Sequence, residues 1–221
     1  MARYKKGFDC RLACQQLSKT DPLLGRWIKR IGRIDGSLSW HKPFNVTDAL
    51  ARAILYQQLS GKAAATIVGR VELAISSKDI HHKALSKVDD AQLRACGVSG
   101  NKVLALRDLA RREAASEIPA TRQLQYMSNQ DIIAALVPTR GIGQWTVEMM
   151  LMFRLGRPDV LPIDDLGIRK GVQILDGLSE MPTPKALLPR GAVWSPNQTM
   201  ASLYLWRIAD FDKTKIKRSQ D

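Results

Sequence analysis

The sequence predicts an all-α fold, and three observations carry that reading. Apolar residues recur at separations of three and four almost throughout the 221 residues. Runs that alternate strictly or concentrate β-branched residues are scarce, so strands have little support. Helix start and stop signals punctuate the chain at ordinary helix spacing.

Thr20-Asp21-Pro22 opens the first predicted helix, with a capping side chain followed by proline in the first turn. Leu24, Trp27, Ile28 and Ile31 form its apolar face, with Trp27 read as core, and Gly32 ends it. The next helix opens at Asn45 to Thr47, runs through Leu50, Ile54 and Leu55, and breaks at Ser60-Gly61. A helix follows from Ala63 to Ile75. Two shorter ones lie near 89–96 and 102–112, separated by Gly97-Val98-Ser99-Gly100. Ser128-Asn129-Gln130-Asp131 is a capping-box pattern ahead of Ile132, Ile133, Leu136 and Val137. The chain breaks at Pro138 to Gly143, then resumes as a strong helix from about Trp145 to Leu155. Asp165 to Leu175 reads as helix, 182–196 as loop with one short helix, and Gln198 to Ile208 as the last regular piece. The final residues, DKTKIKRSQD, read as a frayed basic tail. No repeat, low-complexity segment or interdomain linker is evident.

Charge narrows the partner class. There are 34 Lys plus Arg against 21 Asp plus Glu, a balance of +13, which points to a polyanion and most simply to nucleic acid. Ordinary hydrophobic and charged fractions of 45% and 25% exclude wholesale disorder. No apolar run approaches a membrane span, and the N-terminus lacks the apolar stretch of a signal peptide. No stretch couples a basic face to a strong apolar one, so a membrane surface is not the expected partner. Cys10, Cys14 and Cys96 are too few for a disulfide framework, so an intracellular location is expected.

The segment richest in chemistry runs from Leu136 to Gly171. Two helices are joined by Arg140-Gly141-Ile142-Gly143. The two glycines allow a tight hairpin whose backbone N–H groups face outward at the next helix start, a site suited to phosphate. Ile142 between them can plug into the core. Leu161-Pro162-Ile163-Asp164-Asp165 then leads into a helix and sets a carboxylate at its start. A glycine turn between helices is by itself usually only a turn, and an aspartate at a helix start usually only a cap. Their order, helix, hairpin, helix, loop, aspartate, is far more specific.

In that order the chain resembles the helix-hairpin-helix DNA glycosylase superfamily, with its Gly/Pro-rich loop and catalytic aspartate. Within it the chain is most similar to the 3-methyladenine DNA glycosylase II family, in a compact form without the N-terminal β domain of larger members. Three further segments agree: Gln57-Gln58-Leu59-Ser60 followed by Ala63-Ala64, Leu93 to Ser99 followed by Lys102, and ASLYLWR at 201–207.

The resemblance implies two helical lobes flanking a DNA-binding cleft. One lobe is expected over about 46–160, including the hairpin at 136–150, the other from about 1–45 with 161–221. It implies a monofunctional DNA glycosylase that everts alkylated purines, such as 3-methyladenine and 7-methylguanine, and excises them by hydrolysis in base excision repair. Asp165 matches the catalytic aspartate; it would stabilise the oxocarbenium-like transition state and activate water. Bifunctional relatives carry a lysine where this chain has Trp145, and an indole cannot form a Schiff base. Trp145 and Trp206 match aromatic positions of the base pocket, and Met149 lies one turn beyond Trp145. For DNA contact the resemblance marks Gly141, Gly143 and Thr146 at the hairpin. Gln58 stands near the position that fills the gap left by an everted base, with Leu59 beside it, although core packing is the more ordinary reading of Leu59. Lys102, Arg140, Arg169 and Lys170 are candidate phosphate contacts. Family hairpins often bind Na⁺ or K⁺ through backbone carbonyls; by position these are Val137, Thr139 and Ile142.

Where many superfamily members place four clustered cysteines for an iron–sulfur cluster, this chain has none, so no cluster and no required cofactor is expected. His41, His81 and His82 lack zinc spacing and read as surface or satisfied polar residues. The family's Pro-Tyr-Arg near the C-terminus is replaced by Pro196-Asn197-Gln198, which puts one DNA or pocket contact in doubt. A monomer acting on damaged duplex DNA is expected, in the cytoplasm or nucleoid of a bacterium or the nucleus of a eukaryote. A homologue that binds abasic or distorted DNA without cleaving it is the competing reading.

Overall fold

The computed structural model describes residues 3–34, 40 and 42–218, with the side chains of 212–218 left out. Among these residues every regular element is helical. No helix among them is long and apolar enough to cross a membrane. The chain divides into two compact units, one centred on Lys42–Met150 with the N-terminal residues to Tyr4, the other on Lys5–His41 with the chain from Leu151 onward.

The first unit holds α3 (Val46–Tyr56), α4 (Gly61–Ala74), α5 (His82–Leu85), α6 (Asp90–Ala95), α7 (Gly100–Ala114), α8 (Thr121–Leu124), α9 (Asn129–Leu136) and α10 (Gln144–Met150). Helix α7 is its spine and packs against α3, α5 and α6. The core is made of the residues its helical spacing places inward, including Leu50 and Ile54 of α3, Val71 of α4, Leu106 and Leu109 of α7, and Ile132 and Leu136 of α9. The start signals hold. Asn45 caps α3 through the Asp48 amide, and Ser128 with Asp131 closes the capping box of α9; Ser60, read only as a break, caps α4, which opens at Gly61 rather than Ala63.

The second unit holds α1 (Cys10–Thr20), α2 (Pro22–Ile31), a π-helical turn (Leu151–Leu155), α11 (Leu166–Asp176), α12 (Pro184–Ala192) and α13 (Gln198–Arg218). Helices α11 and α13 form its tightest pair. Gly171 makes this possible, because a Cβ there would collide with the Leu205 carbonyl. The α13 face inside the unit carries Met200, Ala201, Tyr204, Leu205 and Ile208, all fully buried. Asp21 caps α2 and also receives the Trp194 indole N–H at 2.8 Å and the Arg190 guanidinium at 2.6 Å.

Four differences from the sequence reading stand out. Helix α1 escapes it, because only Ala13 and Leu17 of eleven residues are buried and no apolar stripe announces it. The helix expected over 145–155 is α-helical only to Met150 and then widens into the π turn, with the Arg157 amide donating to the Leu151 carbonyl. Helix α13 continues to Arg218, where a frayed tail was expected. Trp27 is half-buried rather than core; its ring meets Phe211 edge-on at 5.7 Å, with Arg30 over both.

Candidate active site and hairpin

The candidate chemistry sits on α11. Asp165, not Asp164, caps this helix: its Oδ1 accepts the Ile168 amide at 2.9 Å. Its own N–H donates to the Pro162 carbonyl, so the Leu161-Pro162-Ile163 turn fixes the approach, while Asp164 faces solvent. The same Oδ1 accepts the Trp206 indole Nε1–H at 2.8 Å. Two donors on one oxygen pin the carboxylate plane. Trp206 is held in turn by Phe153, whose ring lies nearly parallel at 21° with centroids 6.0 Å apart. Gly167 leaves room for the arrangement: a Cβ there would lie 2.7 Å from Cδ1 of Trp206.

Sequence reasoning singled out Asp165 and Trp206 and missed Phe153. Phe153 belongs to the π turn, a local widening that commonly marks functional positions. The stretch reads as uninterrupted helix, so nothing in its spacing shows where Phe153 points.

The hairpin of the first unit is built as its glycines require. Gly141 has φ +79°, and Ile142, 4% exposed, plugs into the core. Asp108 of α7 accepts the Arg140 amide at 2.9 Å and pairs with Arg111 and Arg112. The Gln57 side-chain amide donates to the Gly141 carbonyl at 2.8 Å. A Cβ at Gly143 would meet nothing within 4 Å among the described residues, so none of them demands glycine there. Trp145 stands 48% exposed just beyond, and Met149 is half-buried one turn on. The Thr146 amide donates to the Gly143 carbonyl, which leaves the hydroxyl as the group Thr146 can offer a ligand.

The loop after α3 is the second feature of this unit. Gln58 is a non-glycine residue with φ +57°, a conformation that costs about 1–2 kcal/mol. Gln58 is exposed, and Leu59 is 40% exposed rather than core.

Several candidate phosphate contacts are committed elsewhere. The Lys102 ammonium donates to the Leu55 and Gln57 carbonyls, each at 2.8 Å, and burial lowers its pKa. Arg169 donates from Nε to the Pro182 carbonyl, and Lys170 reaches Gln173 at 3.2 Å. Arg140 alone of the four is exposed. The Pro196-Asn197-Gln198 departure is absorbed by the fold. Asn197 is buried and donates to Gln16 at 2.7 Å, and Gln198 donates to the Gly191 carbonyl.

The cation position has one supporting feature. The Thr139 hydroxyl is buried at 2% exposure with no hydrogen-bond partner among the described residues, while the Thr139 carbonyl accepts the Ile142 amide at 3.0 Å. Val137 caps the C-terminus of α9, where helix carbonyls lack intrahelical donors. No cluster of three or more His, Cys, Asp or Glu among the described residues could hold a metal. His82 meets Glu113 at 3.1 Å, His81 precedes α5, and His41 lies outside the described residues.

Residues 51–196 match the family model described as HhH-GPD superfamily base excision DNA repair protein. The chain is 34% identical over 203 residues to DNA-3-methyladenine glycosylase 1 of Schizosaccharomyces pombe, covering 89% of this chain and 88% of that one. The structure of the S. pombe 3-methyladenine DNA glycosylase Mag1 in complex with abasic DNA superposes with a TM-score of 0.76 at 34% identity, over 88% of this chain and 95% of the other. A DNA-3-methyladenine glycosidase from Bacillus halodurans superposes at 0.81, also at 34% identity, over 94% and 93%. The chain therefore belongs to the HhH-GPD superfamily of base excision DNA repair proteins.

Proposed function

We propose that this protein is a monofunctional DNA glycosylase that binds damaged duplex DNA as a monomer and hydrolytically releases alkylated purines such as 3-methyladenine and 7-methylguanine. The observation that carries the reading is the Asp165 carboxylate, fixed by the Ile168 amide and by Trp206, whose indole is itself stacked on Phe153.

In the reaction the C1′–N bond of the damaged nucleotide breaks and its electron pair leaves with the base. A purine alkylated at N3 or N7 is cationic and departs neutral, so strong general-acid assistance is unnecessary. The positive charge left on the deoxyribose is what Asp165 stabilises. Water then adds at C1′ and gives up a proton, for which the same carboxylate is a suitable acceptor. The product is an abasic site in an intact strand. The indole of Trp145 has no amine to attack C1′, which supports hydrolysis over a Schiff-base route. Aromatic faces such as Trp145 and Trp206 suit an electron-poor base.

The hairpin would bind backbone phosphates through Gly143 and Thr146, with exposed Arg140 nearby. A monovalent cation at the hairpin would rest on the Val137, Thr139 and Ile142 carbonyls and supply positive charge to a phosphate, a reading that the buried Thr139 hydroxyl supports. Incubation with N-methylated duplex DNA and chromatography of the released bases tests the reading. Free methylpurines with uncut strands support it. Tight binding of abasic duplex without base release would replace it with the non-cleaving homologue.

A further inference from the structure

The C-terminus of α3 ends in an unusual way. Gln57 has left the helix (φ −52°, ψ 133°), and the Leu59 amide closes a turn onto the Tyr56 carbonyl at 3.3 Å. The donor to the carbonyls on either side of Tyr56 arrives from another helix. The Lys102 ammonium, two residues into α7, bridges the Leu55 and Gln57 carbonyls at 2.8 Å each, a cation at the negative end of the α3 dipole. The Gln57 side chain reaches the other way and donates to the Gly141 carbonyl of the hairpin. Residues 55–57 are thus tied to both α7 and the hairpin. The next residue is the left-handed Gln58, and then comes exposed Leu59. A backbone held in that region by a residue other than glycine persists only where its surroundings over-determine it. The Leu59–Tyr56 turn bond with the Lys102 and Gln57 contacts provides that determination on the N-terminal side, and the Ser60 cap of α4 provides it on the other.

We propose that Lys102 is a positioning residue for base eversion. It fixes the Gln58–Leu59 tip relative to the phosphate-binding hairpin, so that the tip enters the duplex at the right distance from the gripped backbone. This assigns Lys102 a role other than phosphate contact, and it rests on the glycosylase reading above.

The test compares wild type, Lys102→Met, Lys102→Arg and Gln57→Ala. Two probes are used. One is a duplex with an abasic-site analogue beside 2-aminopurine, whose fluorescence rises when its stacking is opened. The other is an N-methylated purine, either fully paired or in a small unpaired bubble, in single-turnover excision. For Lys102→Met we expect a lost fluorescence response and excision from paired duplex slowed about tenfold to hundredfold, the scale of a small misplacement. Excision from the bubble, where no pair must be opened, should stay within about threefold of wild type, since eversion there is nearly free. Lys102→Arg should recover most of the paired activity, and Gln57→Ala should repeat the pattern more mildly. Equal losses on paired and bubble substrates would make Lys102 merely structural and overturn the proposal. So would an unchanged Lys102→Met enzyme, or a salt dependence of binding shallower by about one unit, the mark of a lost phosphate contact. If wild type releases no base, the glycosylase reading fails separately. The fluorescence response on abasic duplex still decides the role of Lys102: an equal response in wild type and Lys102→Met overturns it.

Discussion

Trp206 donates its indole N–H to Oδ1 of Asp165 at 2.8 Å, the oxygen that also accepts the first-turn amide of α11. An aromatic residue of the candidate base pocket thereby orients the candidate catalytic carboxylate. Gly167 and Gly171 let α11 and α13 approach closely enough for this bond.

Trp206→Phe keeps an aromatic ring near Phe153 and removes the N–H. A hydrogen bond to a charged group is worth about 1.5–3 kcal/mol, so the single-turnover rate should fall roughly 10- to 150-fold. Affinity for abasic duplex should change little. Steady-state and single-turnover kinetics check this; a loss confined to KM would show that Trp206 only binds the base.

Two glycines should separate packing from function. Gly171→Ala drives a methyl group into the Leu205 carbonyl and should cost about 1–3 kcal/mol of stability. Gly143→Ala meets no atom of the described residues within 4 Å, so it should leave the thermal midpoint unchanged and weaken duplex binding. Melting curves and fluorescence anisotropy read the two effects.

Acid should act on the buried Asp21 network. Burial by itself would raise the Asp21 carboxyl, but hydrogen bonds from Trp194, Arg190 and the Leu24 amide outweigh it, and the net shift is downward from 3.8. The folded value lies below the unfolded one. The contribution is therefore complete above about pH 5 and is lost as pH falls through the folded value. Asp21→Asn should lower stability near neutral pH by about 3 kcal/mol and flatten the acid limb of the stability curve. Denaturant titrations between pH 3 and pH 7 (an assay range of about four units) check both effects.

Borohydride should trap no covalent protein–DNA complex, because Trp145 has no amine to offer C1′. A trapped adduct on denaturing gels would point to a lysine elsewhere and to strand cleavage.

Much of this architecture was legible in the sequence because helix caps and helix-period apolar spacing are local signals. Asp21, Asn45 and Ser128 cap the helices they announce. The glycine hairpin and Asp165 were also legible, because their residue types and order are unusual together. Other features depend on partners distant in sequence. Lys102 reads as a surface cation until Leu55 and Gln57 are brought to it. Leu59 reads as core although it is exposed. Phe153 is one apolar residue among several until the π turn sets it against Trp206. Helix α1 has too few inward residues for any pattern to reveal it.

Whether Asp165 performs the chemistry is decided by one comparison. Wild type and Asp165→Asn are incubated with methylated duplex DNA, released bases are quantified by chromatography, and affinity for abasic duplex is measured in parallel. The asparagine retains an oxygen for the Ile168 and Trp206 donors but loses the charge. Excision should fall by at least about a hundredfold, the scale of a lost electrostatic stabiliser, with abasic-site affinity kept within about tenfold. Undiminished base release by Asp165→Asn, or equal loss of excision and affinity, would contradict the account.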